Sequence, residues 1–190
     1  VLAPKSKSDL AFTMHMLHHL EQDGVAAIVE FPGILYRGGD EQKIRKYLVN
    51  NNFVDAVIQL PPNLFFGTGI STVILVLKKN RETTDVLFVD AAGCFTKQGA
   101  KNTLTEADQK AITDLYFGKE DVPYKAVMVS QETIEDKDYN LSVNSYVKKE
   151  DTREVIDIEK LNADIAETNV AQADLKAVSY THLTLPTSDL

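Results

Sequence analysis

The stretch LPPNLFFGTGISTVILVLKK, residues 60–79, joins a loop rich in proline and glycine to a run of apolar and β-branched residues. The run STVILVLKK (71–79) is typical of a β-strand. The loop before it carries Phe65 and Phe66, although loops usually lie on the protein surface. Two adjacent large aromatics in such a loop need an explanation, and the chain on either side indicates one.

Two further strands precede the loop. The segments VAAIVEF (25–31) and FVDAVIQL (53–60) are short, continuous apolar runs, which predict strands buried on both faces. The segment GGDEQKIRKYLVNNN (38–52) predicts a helix capped by Asp40, so the three form a βαβ unit with parallel strands. The strand at 71–79 follows a connection of only about ten residues, shorter than a parallel crossover needs. We therefore expect it to run antiparallel to its neighbour.

Helices and strands also alternate outside this unit. The further predicted elements are a helix at 9–22, a strand at 85–93, a helix at 105–118 capped by Thr105, and a short strand at 126–130. His15 and His19 lie four residues apart on the first helix, the spacing of a zinc pair. The sequence offers no evident third ligand, so we expect packing or capping at the helix end and no metal.

The C-terminal part follows a different pattern. From Asp157 to Ala177 the spacing of 3 and 4 residues predicts a helix that is too short and too polar to be stable alone. It either docks against a partner helix or is a solvated terminal helix. The segment VSYTHLTLPTSDL (178–190) breaks the pattern, and residues 178–187 resemble a translated sequencing adapter from a transposon end. We expect this tail to be non-native and the natural protein to continue past Ala177.

Length and charge restrict the function classes. The 190 residues, 44% of them hydrophobic, suffice for one domain with a core, and no apolar run reaches membrane-spanning length. The single cysteine, Cys94, favours a reducing cytoplasm. Residues 1–119 hold 13 acids and 13 bases, whereas residues 120–177 hold 14 acids and 7 bases. Neither part resembles a free-standing nucleic-acid-binding protein, which carries a basic face.

Four segments, taken in order, resemble a known family. They are VLAPKSKSDLAFTMHMLHHL (1–20), GVAAIVEFPGILYRGGDEQKIRKYLV (24–49), LPPNLFFGTGISTVILVLKK (60–79) and DYNLSVNSYV (138–147). Together they are similar to the modification subunit of type I restriction-modification systems, an adenine-N6 DNA methyltransferase that uses S-adenosylmethionine. The resemblance covers about residues 1–177.

The resemblance implies an α/β fold. It would be the back half of a Rossmann-like, S-adenosylmethionine-dependent methyltransferase sheet with an antiparallel strand, plus a C-terminal helix. Residues 1–147 would form the C-terminal part of the catalytic domain, 148–177 a helical assembly segment, and 178–190 the non-native tail. The segment 138–147 would be an extended stretch that returns to the catalytic domain, with a direct DNA contact as the alternative.

The resemblance also implies an activity and partners. The complete protein would methylate adenine in DNA in the cytoplasm, together with a specificity subunit and a restriction subunit. The catalytic Asn/Asp-Pro-Pro-Tyr/Phe motif and the glycine-rich cofactor turn do not occur in these 190 residues, and PPN at 61–63 has the wrong order. We expect both upstream of Val1, so no catalytic, cofactor-binding or metal residue is assigned and the fragment alone should be inactive.

The substrate-base pocket is expected at Phe65, Phe66 and Gly67. An adenine must be flipped out of the duplex before methylation and is then held against aromatic or apolar faces. Gly67 allows close approach beside Phe66, which makes Phe66 the favoured residue. The alternative is that both aromatics pack beneath the loop as core.

Two further groups are candidate DNA or cleft contacts. Arg37, Gly38 and Gly39 open a predicted helix, where free N–H groups bind phosphate; the alternative is a flexible turn with a cap. Lys5, Ser6 and Lys7 would line the substrate cleft, or form a polar loop before a helix.

Two rival functions are a methyltransferase-like module kept only for assembly or DNA binding, and a nucleotide-dependent oxidoreductase. The antiparallel strand at 71–79 argues against the oxidoreductase.

Overall fold

The computed structural model describes residues 2–149 and 158–183, with side chains as far as Val178. The chain divides into two compact units, Val1–Glu150 and Asp151–Leu190. In chain order the first unit contains α1 (Asp9–His19), β1 (Val25–Glu30), a 3₁₀ turn (Pro32–Leu35), α2 (Asp40–Asn50), β2 (Val54–Gln59), β3 (Val73–Lys78), β4 (Val86–Asp90), β5 (Thr96–Gln98), β6 (Lys101–Thr103), α3 (Glu106–Gly118), β7 (Ala126–Val129), α4 (Gln131–Asp136) and a second 3₁₀ turn (Val143–Ser145). The second unit contains α5 (Ile158–Leu183).

The main sheet has five strands in the order β1-β3-β2-β4-β7, and β5 pairs with β6 in a separate hairpin. Strand β3 runs antiparallel to both β1 and β2, which confirms the predicted direction of the third strand. Strands β1 and β2 therefore run in the same direction, as expected of the βαβ unit, but β3 lies between them. Strand β4 pairs parallel with β2. The carboxyl ends of β1, β2 and β4 consequently meet at one edge of the sheet, which we call the carboxyl edge.

Helices cover the sheet on two faces and create two apolar clusters. On one face α1, α2 and α4 contribute buried residues that pack against alternate residues of the strands: Leu10, Leu17, Ile44, Leu48 and Ile134 against Val57, Leu75, Leu77 and Phe88. On the other face α3 contributes Ile112, which belongs to a cluster with Ala56, Ile58, Val76, Leu87 and Val89. The alternation follows from the period of two in a strand.

Strand β2 is buried on both faces, as its apolar run predicts. The same prediction for β1 is wrong within the described chain, because Val25 and Val29 are 54% and 51% exposed whereas Ile28 is buried. Strand β1 lies at the end of the strand order, and its buried apolar residue, Ile28, belongs to the cluster shared with α1. A continuous apolar run therefore indicates a strand without showing how many of its faces are covered.

The helix starts differ in how they are capped. Thr105 caps α3 as predicted, with a full capping box: its hydroxyl accepts from the Asp108 N–H at 3.3 Å, and its own N–H donates to Asp108 Oδ2 at 2.9 Å. Asp40 is not a cap, because α2 begins at Asp40 itself. The cap position is Gly39, at φ 72° and ψ −134°, a conformation that only glycine adopts readily.

The segment 138–147 returns to the sheet, as expected, but it forms turns and no strand. The Leu141 N–H donates to the Leu35 carbonyl at 2.8 Å. The Tyr146 ring stacks on the buried ring of Phe88, with 4.2 Å between centroids. A backbone hydrogen bond and side-chain packing therefore hold this segment, without strand pairing.

In the second unit, every described side chain of α5 is exposed. These include the apolar heptad residues Ile158, Leu161, Ile165 and Leu175. The helix continues to Leu183, six residues into the segment 178–190. The helix therefore extends beyond the end of the heptad pattern. Asp157 and residues 184–190 lie outside the described residues. No helix in the described ranges combines the length and apolar character needed to cross a bilayer.

Candidate nucleic-acid interface

Three connecting segments meet at the carboxyl edge: residues 31–39 after β1, residues 60–72 after β2, and residues 91–105 after β4, which include the β5–β6 hairpin. Neighbouring strands lie about 5 Å apart, so the loops after β1 and β2, with β3 between them, emerge roughly 10 Å from each other. In open α/β sheets ligands bind outside the carboxyl ends of the strands. The fold therefore brings the predicted aromatic loop and the predicted Arg37 segment to the same edge.

The two aromatics of the loop differ in exposure. Phe66 is 91% exposed and Phe65 is 40% exposed. Burying a phenylalanine side chain stabilises a fold by about 1.5–3 kcal/mol, and Phe66 contributes none of this. The core alternative therefore does not hold for Phe66. Gly67 follows at φ 79°, which turns the chain immediately after the exposed ring.

The β5–β6 hairpin holds the aromatic loop in place. The Asn102 side chain donates to the Pro62 carbonyl at 2.8 Å, and its backbone N–H donates to the Asn63 carbonyl at 3.1 Å. The ammonium of Lys101 lies 4.2 Å from the centroid of the Phe66 ring. The sequence reading missed this hairpin, although Gly99 between two polar triplets is a turn signal.

Lys7 and Arg37, which the sequence predicted as members of two separate groups, both pair with the carboxylate of Glu41. Arg37 Nη1 lies 3.4 Å from Glu41 Oε1, and Lys7 Nζ lies 3.6 Å from Glu41 Oε2. The Glu41 side chain is almost fully buried. A Cβ built on Gly33 would lie 2.4 Å from the Arg37 guanidinium, so this glycine leaves room for the arginine to reach Glu41.

Charge at the start of α2 is nearly balanced. Besides Glu41, the first turn carries Asp40, which accepts a hydrogen bond from Lys43 Nζ at 2.8 Å. A Cβ on Gly38 or Gly39 would meet nothing within 4 Å, so the backbone there is open to an approaching group. Lys5 and Ser6, which precede the Lys7 that pairs with Glu41, are exposed. A phosphate contact by Arg37, Gly38 and Gly39 stays a prediction, as does a cleft contact by Lys5, Ser6 and Lys7.

A second polar cluster lies at the opposite edge of the sheet, around Asp55 of β2. Its buried carboxylate accepts hydrogen bonds from Lys119 Nζ at 2.8 Å, Tyr116 Oη at 2.8 Å and Arg81 Nε at 3.1 Å, and Lys78 Nζ lies 3.3 Å away. Burial alone would raise the pKa of Asp55. The hydrogen bonds from Lys119 and Tyr116 and the charges of Lys119 and Lys78 outweigh burial and lower the pKa to about 2. The cluster fastens α3 to the sheet and is a structural site.

Histidine rings on α1 contact each other. His15 and His19 meet edge to face, with 4.6 Å between centroids. Within the described residues, no group of three histidine, cysteine or carboxylate side chains is arranged to hold a metal ion.

Comparison with known proteins places this geometry in a family. The family model described as N-6 DNA Methylase matches residues 1–155. The type I restriction enzyme MpnII methylase subunit of Mycoplasma pneumoniae is 49% identical over 176 residues, covering 92% of this chain and 32% of that protein. The type I restriction enzyme MjaVII methylase subunit of Methanocaldococcus jannaschii is 34% identical over 163 residues, covering 83% of this chain and 28% of that protein.

A solved structure is similar to this chain in both fold and sequence. The crystal structure of the type I restriction-modification system methyltransferase subunit from Streptococcus thermophilus matches with a TM-score of 0.76 and 46% identity, over 77% of this chain and 32% of that chain. This chain therefore spans about a third of the length of these relatives. The likeness confirms the expected fold, part of a Rossmann-like methyltransferase sheet with an antiparallel strand. The relatives named above are methylase subunits of type I restriction enzymes, and the chain belongs to the N-6 DNA methylase family.

Proposed function

We propose that the chain is part of the modification subunit of a type I restriction-modification system, which transfers a methyl group from S-adenosylmethionine to N6 of adenine in DNA. Family membership over residues 1–155 and the names of the relatives support this activity. The observation that carries the proposal within the structure is the exposed ring of Phe66 at the carboxyl edge.

The ring suits a flipped adenine. N6 lies inside the duplex, and an enzyme that modifies it must extrude the base and hold it by stacking. Phe66 presents an exposed aromatic face, Gly67 turns the backbone directly after it, and the neighbouring Phe65 is 40% exposed. We assign the base contact to Phe66, with Phe65 and Gly67 shaping the rest of the pocket.

No cofactor-binding residue is assigned among the described residues. The paired glycines Gly38 and Gly39 precede α2, whose first turn carries Asp40 and Glu41, and these carboxylates are already paired with Lys43, Arg37 and Lys7. No step through S-adenosylmethionine is assigned to this chain. In the proposal the cofactor turn and the Asn/Asp-Pro-Pro-Tyr/Phe motif belong to other residues of the complete protein.

The proposed partners are DNA and the specificity and restriction subunits of the same system, in the cytoplasm. The near-neutral charge of residues 1–119 is consistent with a specificity subunit that supplies most of the phosphate binding. The exposed apolar residues Leu161 and Ile165 of α5 support an assembly role for residues 148–177. Residues 1–147 would be the C-terminal part of the catalytic domain, and 178–190 a non-native tail.

The test is a methylation assay with the full-length subunit and its specificity subunit on duplex DNA, using labelled S-adenosylmethionine. The proposal predicts label on N6 of adenine. Label on cytosine, or DNA binding without methyl transfer, would contradict it; the second result would identify a module kept for binding and assembly.

A further inference from the structure

We propose that the β5–β6 hairpin is a DNA-contacting arm, in which Lys97 and Lys101 bind phosphates of the strand that carries the flipped adenine. This inference rests on the proposed function and deepens it by naming a contact surface that the sequence reading did not include. The partner is duplex DNA, recognised through its backbone charge.

The core does not account for the hairpin. Of the six residues of β5 and β6, five are exposed and one, Asn102, is half-buried. A two-stranded hairpin is at best marginally stable in isolation. Here the side chain and backbone of Asn102 attach it to the carbonyls of Pro62 and Asn63 in the aromatic loop. The hairpin is thus attached directly to the loop that carries the proposed base site.

Its charge is complementary to DNA. Residues 96–103, TKQGAKNT, contain two lysines and no acid, in a chain whose net charge is −8. Within the described part of the chain, neither lysine forms a salt bridge. Asp108, the carboxylate at the start of the next helix, already accepts hydrogen bonds from the Thr105 N–H at 2.9 Å and hydroxyl at 2.7 Å. Neither ammonium group is therefore paired with a carboxylate of the described residues, and both can bind an external anion.

The position of the lysines fits one particular part of the DNA. Lys101 Nζ lies 4.2 Å from the Phe66 ring centroid, and a base stacked on the other face of that ring is one sugar away from its own phosphate. Lys97 pairs with Asn102 across the hairpin, whereas Lys101 pairs with Gln98, so the two lysines lie on opposite faces of the hairpin. In the proposal Lys101 holds the phosphate next to the flipped nucleotide, and Lys97, on the other face of the same hairpin, binds a phosphate farther along the strand.

The experiment measures how DNA affinity depends on salt. The full-length subunit is assembled with its specificity subunit, and its affinity for a fluorescent 30-base-pair duplex that it methylates is measured at several NaCl concentrations. Each lost phosphate contact makes the slope of log K against log [NaCl] shallower by about 0.9. Lys97→Gln and Lys101→Gln should each show this change, and the double variant should lose about 1.8.

Matched variants separate the explanations. Lys110→Gln removes one charge from an exposed lysine of α3 and should leave the slope unchanged. Lys97→Arg and Lys101→Arg keep the charge and should retain the wild-type slope. The inference is overturned if the double variant has the slope of Lys110→Gln, or if the arginine variants lose as much as the glutamine variants. If the wild-type assembly methylates no adenine, the proposed function itself fails; if it methylates normally and the slopes do not change, only this inference fails.

Discussion

The carboxylate of Asp55 on β2 accepts a hydrogen bond of 2.8 Å from the ammonium of Lys119, the cap residue that follows α3. The backbone of Lys119 is left-handed, at φ 48° and ψ 42°, a conformation that ends α3 at the residue whose side chain reaches Asp55. Tyr116, one turn earlier on α3, donates to the other oxygen of the same carboxylate at 2.8 Å. One buried acid thus fixes both the position and the end of the helix that covers one face of the sheet.

Replacing Asp55 with Ala should destabilise the first unit by about 3 kcal/mol, because it removes the carboxylate that pairs with the buried Arg81 and frees the end of α3. The melting temperature of a unit of this size should fall by roughly 6–12 °C. Thermal unfolding followed by circular dichroism measures the change. Asp114→Ala is the control, since its pair with Lys110 is exposed on both sides and should cost under about 1 kcal/mol. Equal losses in both variants would contradict a special role for Asp55.

The lowered pKa of Asp55 predicts how this stabilisation depends on pH. The folded pKa of about 2 lies below the ordinary value of 3.8, so the carboxylate stabilises the fold above pH 4 and loses this contribution as pH falls toward 2. Urea unfolding of wild type and Asp55→Asn should show their largest difference at pH 5 to 7. The difference should shrink by about half at pH 3. A gap that widens as the solution is acidified would show that the carboxylate is not the stabilising group.

The contribution of Glu30 to stability should depend on pH in the opposite direction to that of Asp55. Burial raises the pKa of this carboxyl above 4.5, the Thr13 hydroxyl that donates to it at 2.9 Å partly offsets the rise, and Asp9 adds to it. An acid with a raised folded pKa weakens the fold as pH rises from its unfolded pKa through its folded one. Glu30→Gln keeps an acceptor for Thr13 and should therefore raise the urea midpoint at pH 7, with little effect at pH 4. A variant that is less stable at pH 7 would mean that the charged carboxylate has a stabilising contact.

The assembly role proposed for α5 can be tested through its apolar heptad residues. Leu161→Asp with Ile165→Asp in the full-length subunit should weaken copurification with the specificity subunit, because two charges would enter an apolar contact. Asn162→Asp with Asn169→Asp adds the same charge beside that line of residues and should leave copurification intact. Unchanged copurification of the first pair would indicate a solvated terminal helix.

The strand directions were predictable because they follow from local chemistry. A connection of about ten residues that contains Pro61 and Pro62 cannot form the helix that a parallel crossover uses, so β3 had to be antiparallel. Its place between β1 and β2 was not predictable, since strand order depends on pairing between distant segments. The exposure of Val25 and Val29 was missed for a related reason, because it depends on which helices cover the edge strand.

The candidate site was predictable only where a residue was unusual for its place. Phe66 was noticed because a large aromatic in a proline- and glycine-rich loop conflicts with surface preference. The hairpin at 96–103 has no apolar period to reveal it, and its importance depends on contacts with residues more than 30 positions earlier, such as that of Asn102 with Pro62. Asp55 was hidden inside an apolar run, and its partners come from β3, the loop after it and α3.

The most direct test of the account is the methylation rate of Phe66→Ala in the full-length subunit assembled with its specificity subunit. Stacking of a base on an aromatic ring is worth roughly 1–3 kcal/mol. Each 1.36 kcal/mol changes a rate tenfold, so kcat/KM on duplex DNA should fall by about 5- to 150-fold. The loss should be smaller when the target adenine faces a mismatch, because that base is extruded at less cost. Phe65→Ala, measured in parallel, should have the smaller effect on rate because its ring is less exposed.

The melting temperature, measured on the same samples, separates a base contact from packing. The account predicts that Phe66→Ala loses methylation on duplex DNA while its melting temperature stays within error of wild type, since the ring is 91% exposed. A variant that melts several degrees lower, or that methylates duplex DNA at the wild-type rate, would contradict the assignment of Phe66 to the flipped base.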